Sequence, residues 1–340
     1  MIPKTMKLAR ARGRGEPLTL EEGPVPTPGP GEVLIRVESV GVNFSDVKRR
    51  RGDLYPFETR FPFVPGAEIA GEVVRLGPGV DGLAVGARVF SLAGAGGESR
   101  HAHFATNHIP TVAPPSPGLP PAFPRVLLVA GTTAKRMMHE AARFAEGETV
   151  LIPSATGGVG SFAVQIARAL GAKKVIAAVG SPSKIARASA LGAHEVVDTS
   201  RQDWPEEIHR LTEDKGVDVA FESAGGDSLE KSLRCLAPFG RLVVIGASGG
   251  ASGRLTPEAI DQWLYAPALG RSIVAFNLGT WFQLRPQAAG AALGGLIEDL
   301  LRERLRPPAI QALPLSEAQR AHDLLEGRTV TGKLVLKPWS

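Results

Sequence analysis

The stretch Ser154-Ala155-Thr156-Gly157-Gly158-Val159-Gly160 has the residue types and spacing to hold a pyrophosphate. It follows a strand-like run, Thr149 to Ile152, and opens a helical one; Ala155 stands where the G-x-G-x-x-G fingerprint has its first glycine. Gly157 would let the backbone approach the phosphates, and Gly160 would let helix and strand pack closely. The free N–H groups of the first helical turn, aided by the helix dipole, would then face the negative charge. A glycine loop alone is weak evidence. The preceding strand, the following helix and five further strand-like runs supply the context the motif requires.

Residues downstream discriminate between the two nicotinamide dinucleotides. A site for NAD places Asp or Glu about 20 residues beyond the glycines, on the ribose 2′-OH. No Asp or Glu occurs from Gly171 through His194. The second strand runs instead into Val179-Gly180-Ser181-Pro182-Ser183-Lys184, where Lys184, Ser181 and Ser183 can receive a 2′-phosphate through charge-assisted hydrogen bonds. Taken alone, Lys184 reads as an ordinary exposed helical residue. Combined with the missing carboxylate, the stretch predicts NADPH over NADH.

The elements that must position these residues follow a regular pattern. Six strand-like runs (Thr149 to Ile152, Lys174 to Val179, Glu195 to Val197, Val217 to Phe221, Leu242 to Ile245 and Ser272 to Ala275) alternate with helical stretches. Several of those stretches end at a glycine: Gly171, Gly192 and Gly240. The alternation predicts an α/β fold with a doubly wound parallel sheet. Phe162, Ile166 and Leu170 share a helical face suited to burial against it.

Before this region, residues 5–122 read as short strands between Pro/Gly turns, a β-rich, barrel-like domain; Val33 to Val37, Ile69 to Arg75 and Ala87 to Phe90 are examples. After about Gln283 come one helix (Ala288 to Arg304), a Pro-rich turn and a last strand, Lys333 to Lys337, which is expected to return to the β-rich domain. At 340 residues the chain exceeds one ordinary core. The expected division is 1–122 with 283–340, and 123–282 for the nucleotide.

Composition narrows the partners. Net charge is +5 and spread out; the basic start, Lys4 to Arg14, lacks interleaved aromatics, so a solvated face is expected and no nucleic acid. Cys235 stands alone, which rules out a disulfide within the chain and the multi-thiolate zinc sites; it reads as a small core residue. His101 and His103 form an H-x-H pair with no further ligand nearby in sequence, so a loop role or a cofactor contact is expected for them and no metal. No stretch of eighteen apolar residues appears, nor a signal-peptide pattern after Met1, so no membrane and a cytoplasmic protein are expected.

Five segments together carry a more specific likeness: Pro28-Gly29-Pro30-Gly31-Glu32-Val33-Leu34-Ile35-Arg36-Val37, Gly41-Val42-Asn43-Phe44-Ser45-Asp46, Pro65-Gly66-Ala67-Glu68-Ile69-Ala70-Gly71, Ser154 to Gly160, and Thr331-Gly332-Lys333-Leu334-Val335. Over nearly its whole length the chain resembles a medium-chain dehydrogenase/reductase of the zinc-independent quinone oxidoreductase (zeta-crystallin-like) group. The resemblance implies a GroES-like β-rich catalytic domain built from both chain ends around a central Rossmann domain, with NADPH in the cleft between them. Members reduce quinones or the C=C bond of α,β-unsaturated carbonyl compounds, often as homodimers or homotetramers. Zinc-dependent relatives carry Cys and His where this chain has Asn43 and Ala67, so catalytic zinc is not expected.

The same resemblance suggests site residues. Asn43 matches the position whose amide points at the substrate oxygen, although a turn-stabilising side chain fits it equally. Tyr55 resembles the family's active-site tyrosine and is the candidate acid; a packed loop aromatic is the other reading. Thr133 and Val159 would lie near the nicotinamide. Ser223-Ala224-Gly225 and Gly246-Ala247-Ser248 would stand at the carboxyl ends of the fourth and fifth strands. Phe276, Asn277 and Trp281 follow the sixth; core packing suits Phe276 and a hydrogen bond suits Asn277. Thr199 replaces a tyrosine that some relatives place near the 2′-phosphate, with Arg201 as a substitute. Lys48 and Lys135 replace aromatics of relatives, and either favour an anionic substrate or face solvent.

Three functions follow as expectations. The first is an NADPH-dependent quinone or enone reductase. The second is a 2-enoyl-thioester reductase for acyl-CoA-like substrates, which Lys48 and Arg49 to Arg51 would favour. The third is a cofactor-binding regulatory or interaction protein without turnover.

Overall fold

Four of the five residues along 33–37 are apolar and successive side chains point to opposite faces, so both faces of one strand must be covered. In the computed structural model, Val33, Ile35 and Val37 join one core cluster with Ile69, Val73, Val89 and Leu336, while Leu34 joins another with Met6, Leu8, Val64 and Phe104. The structure describes residues 1–56, 58–92, 101–108, 112–113, 128–249, 253, 255–265 and 269–340. The expected Pro-rich turn at Pro114 to Pro124 and the expected junction at 122/123 lie outside them.

The described strands are β1 (Thr5–Arg10), β2 (Thr19–Pro24), β3 (Glu32–Gly41), β4 (Glu68–Leu76), β5 (Arg88–Leu92), β6 (Phe104–His108) and β7 (Val112–Ala113). Next come β8 (Thr149–Ile152), β9 (Lys174–Val179), β10 (Glu195–Asp198), β11 (Val217–Glu222), β12 (Leu236–Val244) and β13 (Ser272–Ala275). The last two are β14 (Ile310–Pro314) and β15 (Lys333–Lys337). The chain divides into two compact units. One comprises Met1–Val129, Gly279–Ala291 and Ala309–Ser340; the other comprises Ala130–Leu278 and Ala292–Pro308.

The first unit is the β-rich one and draws on both chain ends. Its larger sheet has the order β14-β15-β3-β4-β5-β7, with β6 also on β3, beside a β1–β2 hairpin. The last strand pairs with β3 at Val335–Gly41 and Leu336–Val40. A helix at Phe44–Arg51, which the sequence reading did not single out, turns off β3 and ends at Gly52 in the left-handed conformation (φ 69°).

The second unit holds a six-stranded parallel sheet of order β10-β9-β8-β11-β12-β13. Numbered within the unit, this is the 3-2-1-4-5-6 order of the dinucleotide fold. The helix Gly158–Ala169 packs on β8 and β9, with Phe162 and Ile166 buried and Leu170 half-buried at its C-cap. Gly171 follows at φ 77°, the left-handed ending glycine allows. Gly240 behaves differently from expectation. The preceding helix stops at Arg234, and Gly240 lies inside β12, because Leu236 and Ala237 are already buried strand residues. A Cβ at Gly240 would sit 2.9 Å from the Ala237 carbonyl, so close backbone packing, not helix termination, requires glycine there. No helix among the described residues is long and apolar enough to cross a membrane.

Two histidines lie wholly inside the first unit. His101 and His322 are both at 0% exposure, edge to face at 5.7 Å. Among the described residues both ring nitrogens of His101 and Nε2 of His322 have no partner, while His322 Nδ1 accepts from Arg50 Nε at 3.2 Å. Burial pushes His101 down to about 3; burial, His101 and Arg50 push His322 well below its ordinary value. Both are neutral in the fold but bind protons when unfolded below about 6.5. Their contribution is therefore present above pH 6.5 and lost as pH falls towards the folded values, at about 1.4 kcal/mol per pH unit for each site. His101→Leu removes one site and two unpartnered nitrogens. Urea unfolding from pH 7 to pH 4 is expected to show near-unchanged stability at pH 7 and a shallower acid decline. A decline parallel to that of the unsubstituted protein would acquit His101.

Candidate functional site

In the second unit, the glycine turn is shaped by the backbone. Ser154 takes φ 50°, and its carbonyl accepts from the Gly157 N–H at 2.8 Å. A Cβ on Gly160 would fall 2.3 Å from that carbonyl oxygen and 2.7 Å from the Ala155 Cα, so helix and turn pack without room for any side chain. Gly157, the N-cap, meets only the same oxygen at 3.2 Å. No side chain caps this helix and no acidic residue occupies its first turn. The leading N–H groups of Gly158, Val159 and Gly160 thus remain available to an anion. The residues fit a pyrophosphate.

At the end of β9, Gly180 is exposed with open space where a Cβ would be. Ser181 and Ser183 share a hydrogen bond at 2.9 Å, and half-buried Lys184 closes the following turn; burial lowers its ammonium from the usual lysine value. Arg201 and Thr199 stand further along the chain. The Arg201 guanidinium is held by both oxygens of exposed Asp203, at 3.0 and 2.7 Å, and Thr199 Oγ1 donates to the Val179 carbonyl.

The segments after β11 and β12 lie together. The Ser248 and Gly249 N–H groups donate to the Ser223 and Ala224 carbonyls, each at 2.7 Å, and Ala247 and Gly246 lead into this pairing. Ser223 Oγ is buried without a hydrogen-bond partner among the described residues, a hydroxyl that suits a ligand. Phe276 is buried at 8% exposure, in keeping with core packing, and half-buried Asn277 follows it. On the helix Leu128–Arg136, Thr133 is half-buried, and Lys135 forms an ion pair with Asp299 at 2.5 Å. Lys135 is therefore not a free cation for a substrate.

In the first unit, Asn43 starts the helix Phe44–Arg51 and sits in a buried polar network. Its amide donates to the Gly41 carbonyl and to Glu68 Oε1, both at 3.2 Å, so both amide hydrogens are used inside the protein. Its oxygen accepts from Lys333 Nζ, which also meets Glu68 Oε1 at 2.7 Å. Glu68 Oε2 accepts from the Val129 N–H at 3.0 Å. Of the two sequence readings for Asn43, the structure favours the turn-organising one. Asp46 accepts from the N–H groups of Asn43 and Gly66, and burial, assisted by Glu68, raises it to about 6. Tyr55 is half-buried; burial, then Asp46, raise its phenol above the ordinary value, so it stays protonated near neutrality.

The arginine run beside it is structural. Arg49 lies over the rings of Tyr55 and Phe63 at 5.7 and 4.6 Å and bonds Thr59. Arg50 reaches His322, Glu326 and the Gly15 and Glu16 carbonyls, and Arg51 meets Asp53 and Glu326. All three are engaged within the fold, so they do not form a free cationic run, and Lys48 beside them is half-buried. His101 and His103 alternate along the chain and diverge, His101 towards His322 and His103 onto Trp339 at 4.2 Å. Among the described residues no three His, Cys, Asp or Glu gather to hold a metal ion.

Glu68 and Lys333 are the residues the sequence reading passed over. The available signal was a charged residue at the head of an apolar strand run, Glu-Ile-Ala and Lys-Leu-Val. With 0% and 4% exposure, either one alone is an uncompensated buried charge. Lys333→Met is expected to cost about 3–5 kcal/mol, and adding Glu68→Gln to recover most of it. Additive losses in that unfolding cycle would refute the coupling.

Comparison with known proteins agrees with this geometry. Residues 29–153 match the alcohol dehydrogenase GroES-like domain, and residues 158–281 match the zinc-binding dehydrogenase family. A 2-haloacrylate reductase from a Burkholderia species is 33% identical over 96% of this chain and 97% of its own. A quinone oxidoreductase from Pseudomonas aeruginosa is 34% identical, over 92% of each chain. A mycobacterial protein solved as a complex with NADPH superposes with a TM-score of 0.85 at 29% identity, over 98% of this chain and 100% of that one. With two relatives above 30% identity along almost the whole sequence, and both halves of the fold matched, the chain belongs to the quinone oxidoreductase group of the medium-chain dehydrogenase/reductase superfamily.

Proposed function

We propose that this oxidoreductase uses NADPH to reduce a quinone, or the C=C bond of an α,β-unsaturated carbonyl compound, without zinc. The observation that carries the cofactor choice is the turn Gly180–Lys184 at the end of β9, which offers two serine hydroxyls and an ammonium and no carboxylate. The NADPH complex of the mycobacterial relative and the reductase name of the Burkholderia relative support the reading. Gly158, Val159 and Gly160 would hold the pyrophosphate, Ser181 and Lys184 the 2′-phosphate, and Ser223 Oγ a further polar group of the cofactor.

NADPH, when bound, supplies the hydride. Hydride arriving at the β-carbon of an enone leaves an enolate, which needs a hydrogen-bond donor and then a proton at its α-carbon. Tyr55 is the candidate donor: its phenol keeps its proton near neutral pH, and the Arg49 guanidinium lies over its ring. Asn43 acts one step back, orienting Glu68 and Lys333 and starting the helix that carries Ser45. Arg49 to Arg51 are engaged in the fold, so the thioester alternative is supported by the likeness to an enoyl reductase and not by that run.

Three measurements test this. NADPH oxidation is followed against a 1,4-quinone, 2-cyclohexenone, an alkenal and crotonyl-CoA, with NADH in parallel; turnover with NADPH preferred is expected, and none with any acceptor would sink the reductase reading. Lys184→Ala should raise the KM for NADPH by about 10–100-fold and leave that for NADH in place, since a hydrogen bond to a charged group contributes about 1.5–3 kcal/mol. Equal effects on both cofactors would remove Lys184 from the phosphate. Tyr55→Phe should lower kcat by about 100-fold with unchanged NADPH affinity; an unaltered kcat would assign the proton to solvent.

A further inference from the structure

We infer that Glu222 is a positioning residue for the cofactor: one buried carboxylate holds both segments that carry Ser223 and Gly246–Ser248. The inference rests on the NADPH reading for the identity of the ligand. Glu222 ends β11 at 1% exposure. Its Oε1 accepts from the Ala224 and Gly225 N–H groups at 2.6 and 2.7 Å. Its Oε2 accepts from the hydroxyls of Ser228 and Ser232 at 2.8 and 3.0 Å. An ionised carboxylate has about four acceptor sites, and here neutral donors fill four.

Each donor fixes something. Gly225 and Gly226 take φ 75° and 58°, so the chain doubles back and presents two successive N–H groups to one oxygen. Ser228 and Ser232 lie four apart on the helix Ser228–Arg234, which is thereby docked on the strand end. The three carbonyls of Glu222, Ser223 and Ala224 then accept from Ile245, Ser248 and Gly249, at 2.8, 2.7 and 2.7 Å. The second segment hangs from the first, and the first from Glu222. Ser223 Oγ, buried and unpartnered, is fixed between them, at the carboxyl end of a strand where this sheet order binds its ligand.

The test uses the full-length protein and the variants Glu222→Gln, Ser228→Ala and Ser228→Thr. Glutamine keeps the shape but loses the charge that strengthens all four bonds. The Kd and KM for NADPH should rise about tenfold in Glu222→Gln while kcat at saturating NADPH changes less than threefold. Ser228→Ala, a milder change, should weaken binding about threefold, and Ser228→Thr, which retains the hydroxyl, should restore it. In the cofactor-free protein, amide exchange at Ala224, Gly225, Ser248 and Gly249 should accelerate at least tenfold in Glu222→Gln, with β8 and β9 unchanged. Unaltered NADPH binding, or exchange that accelerates evenly through the second unit, would overturn the inference and leave Glu222 a general stabiliser. Should the unsubstituted protein itself not bind NADPH, the functional reading falls; local acceleration would then uphold the clamp and even acceleration would reject it.

Discussion

Glu68 and Lys333 meet at 2.7 Å with almost no exposure on either side, at the head of β4 and the head of β15. Two charges taken out of water are costly unless each is paired and its remaining sites are satisfied. Both conditions are met by neighbours that matter to the site. Asn43 gives its amide to Glu68 and its oxygen to Lys333, 290 residues away in sequence, and the Val129 N–H takes the other Glu68 oxygen. The pair therefore fixes where the helix of Ser45 and Asp46 begins, and it demands that the last strand return beside β3. Loss of either charge would be felt at the site and in the fold together.

Buried polar groups recur as organisers elsewhere. Arg50 ties the first helix to the helix Ala318–Glu326 through Glu326 and His322. In the second unit Glu148 and Arg241 pair at 2.6 Å between the approach to β8 and β12. Most of the chain's internal charge is thus matched within its own unit. Against that background the leading N–H groups of Gly158, Val159 and Gly160, with no side-chain cap and no acidic residue in their turn, stand out as groups suited to a pyrophosphate.

The sheet of the second unit and its glycine turn were legible in the sequence because both depend on local pattern: strand-like runs at regular intervals, and glycines whose small size is needed where Gly160 meets Ser154. Gly240 misled for the same reason, since a glycine after a helical run resembles a helix end until the strand beside it is known. Side-chain partners were not legible. Asn43 could be assigned to a position but not to Glu68 and Lys333, and the Arg49 to Arg51 run looked like a free cationic patch because Glu326 and His322 lie some 270 residues onwards. Residue type states what a group can bind; only the fold states what has already bound it.

Cys235 gains a meaning from the proposed chemistry. Quinones and enones are electrophiles that add to thiolates, so an enzyme that concentrates them is exposed to alkylation by its own substrates. The chain contains one cysteine, at 0% exposure in the core of the second unit. Its thiol donates to the Lys231 carbonyl, and burial pushes it up to about 12. Since the thiolate is the nucleophile, this sulfur is both out of reach and in its unreactive form. The protein carries no ready thiol for covalent self-inactivation by the compounds it would reduce.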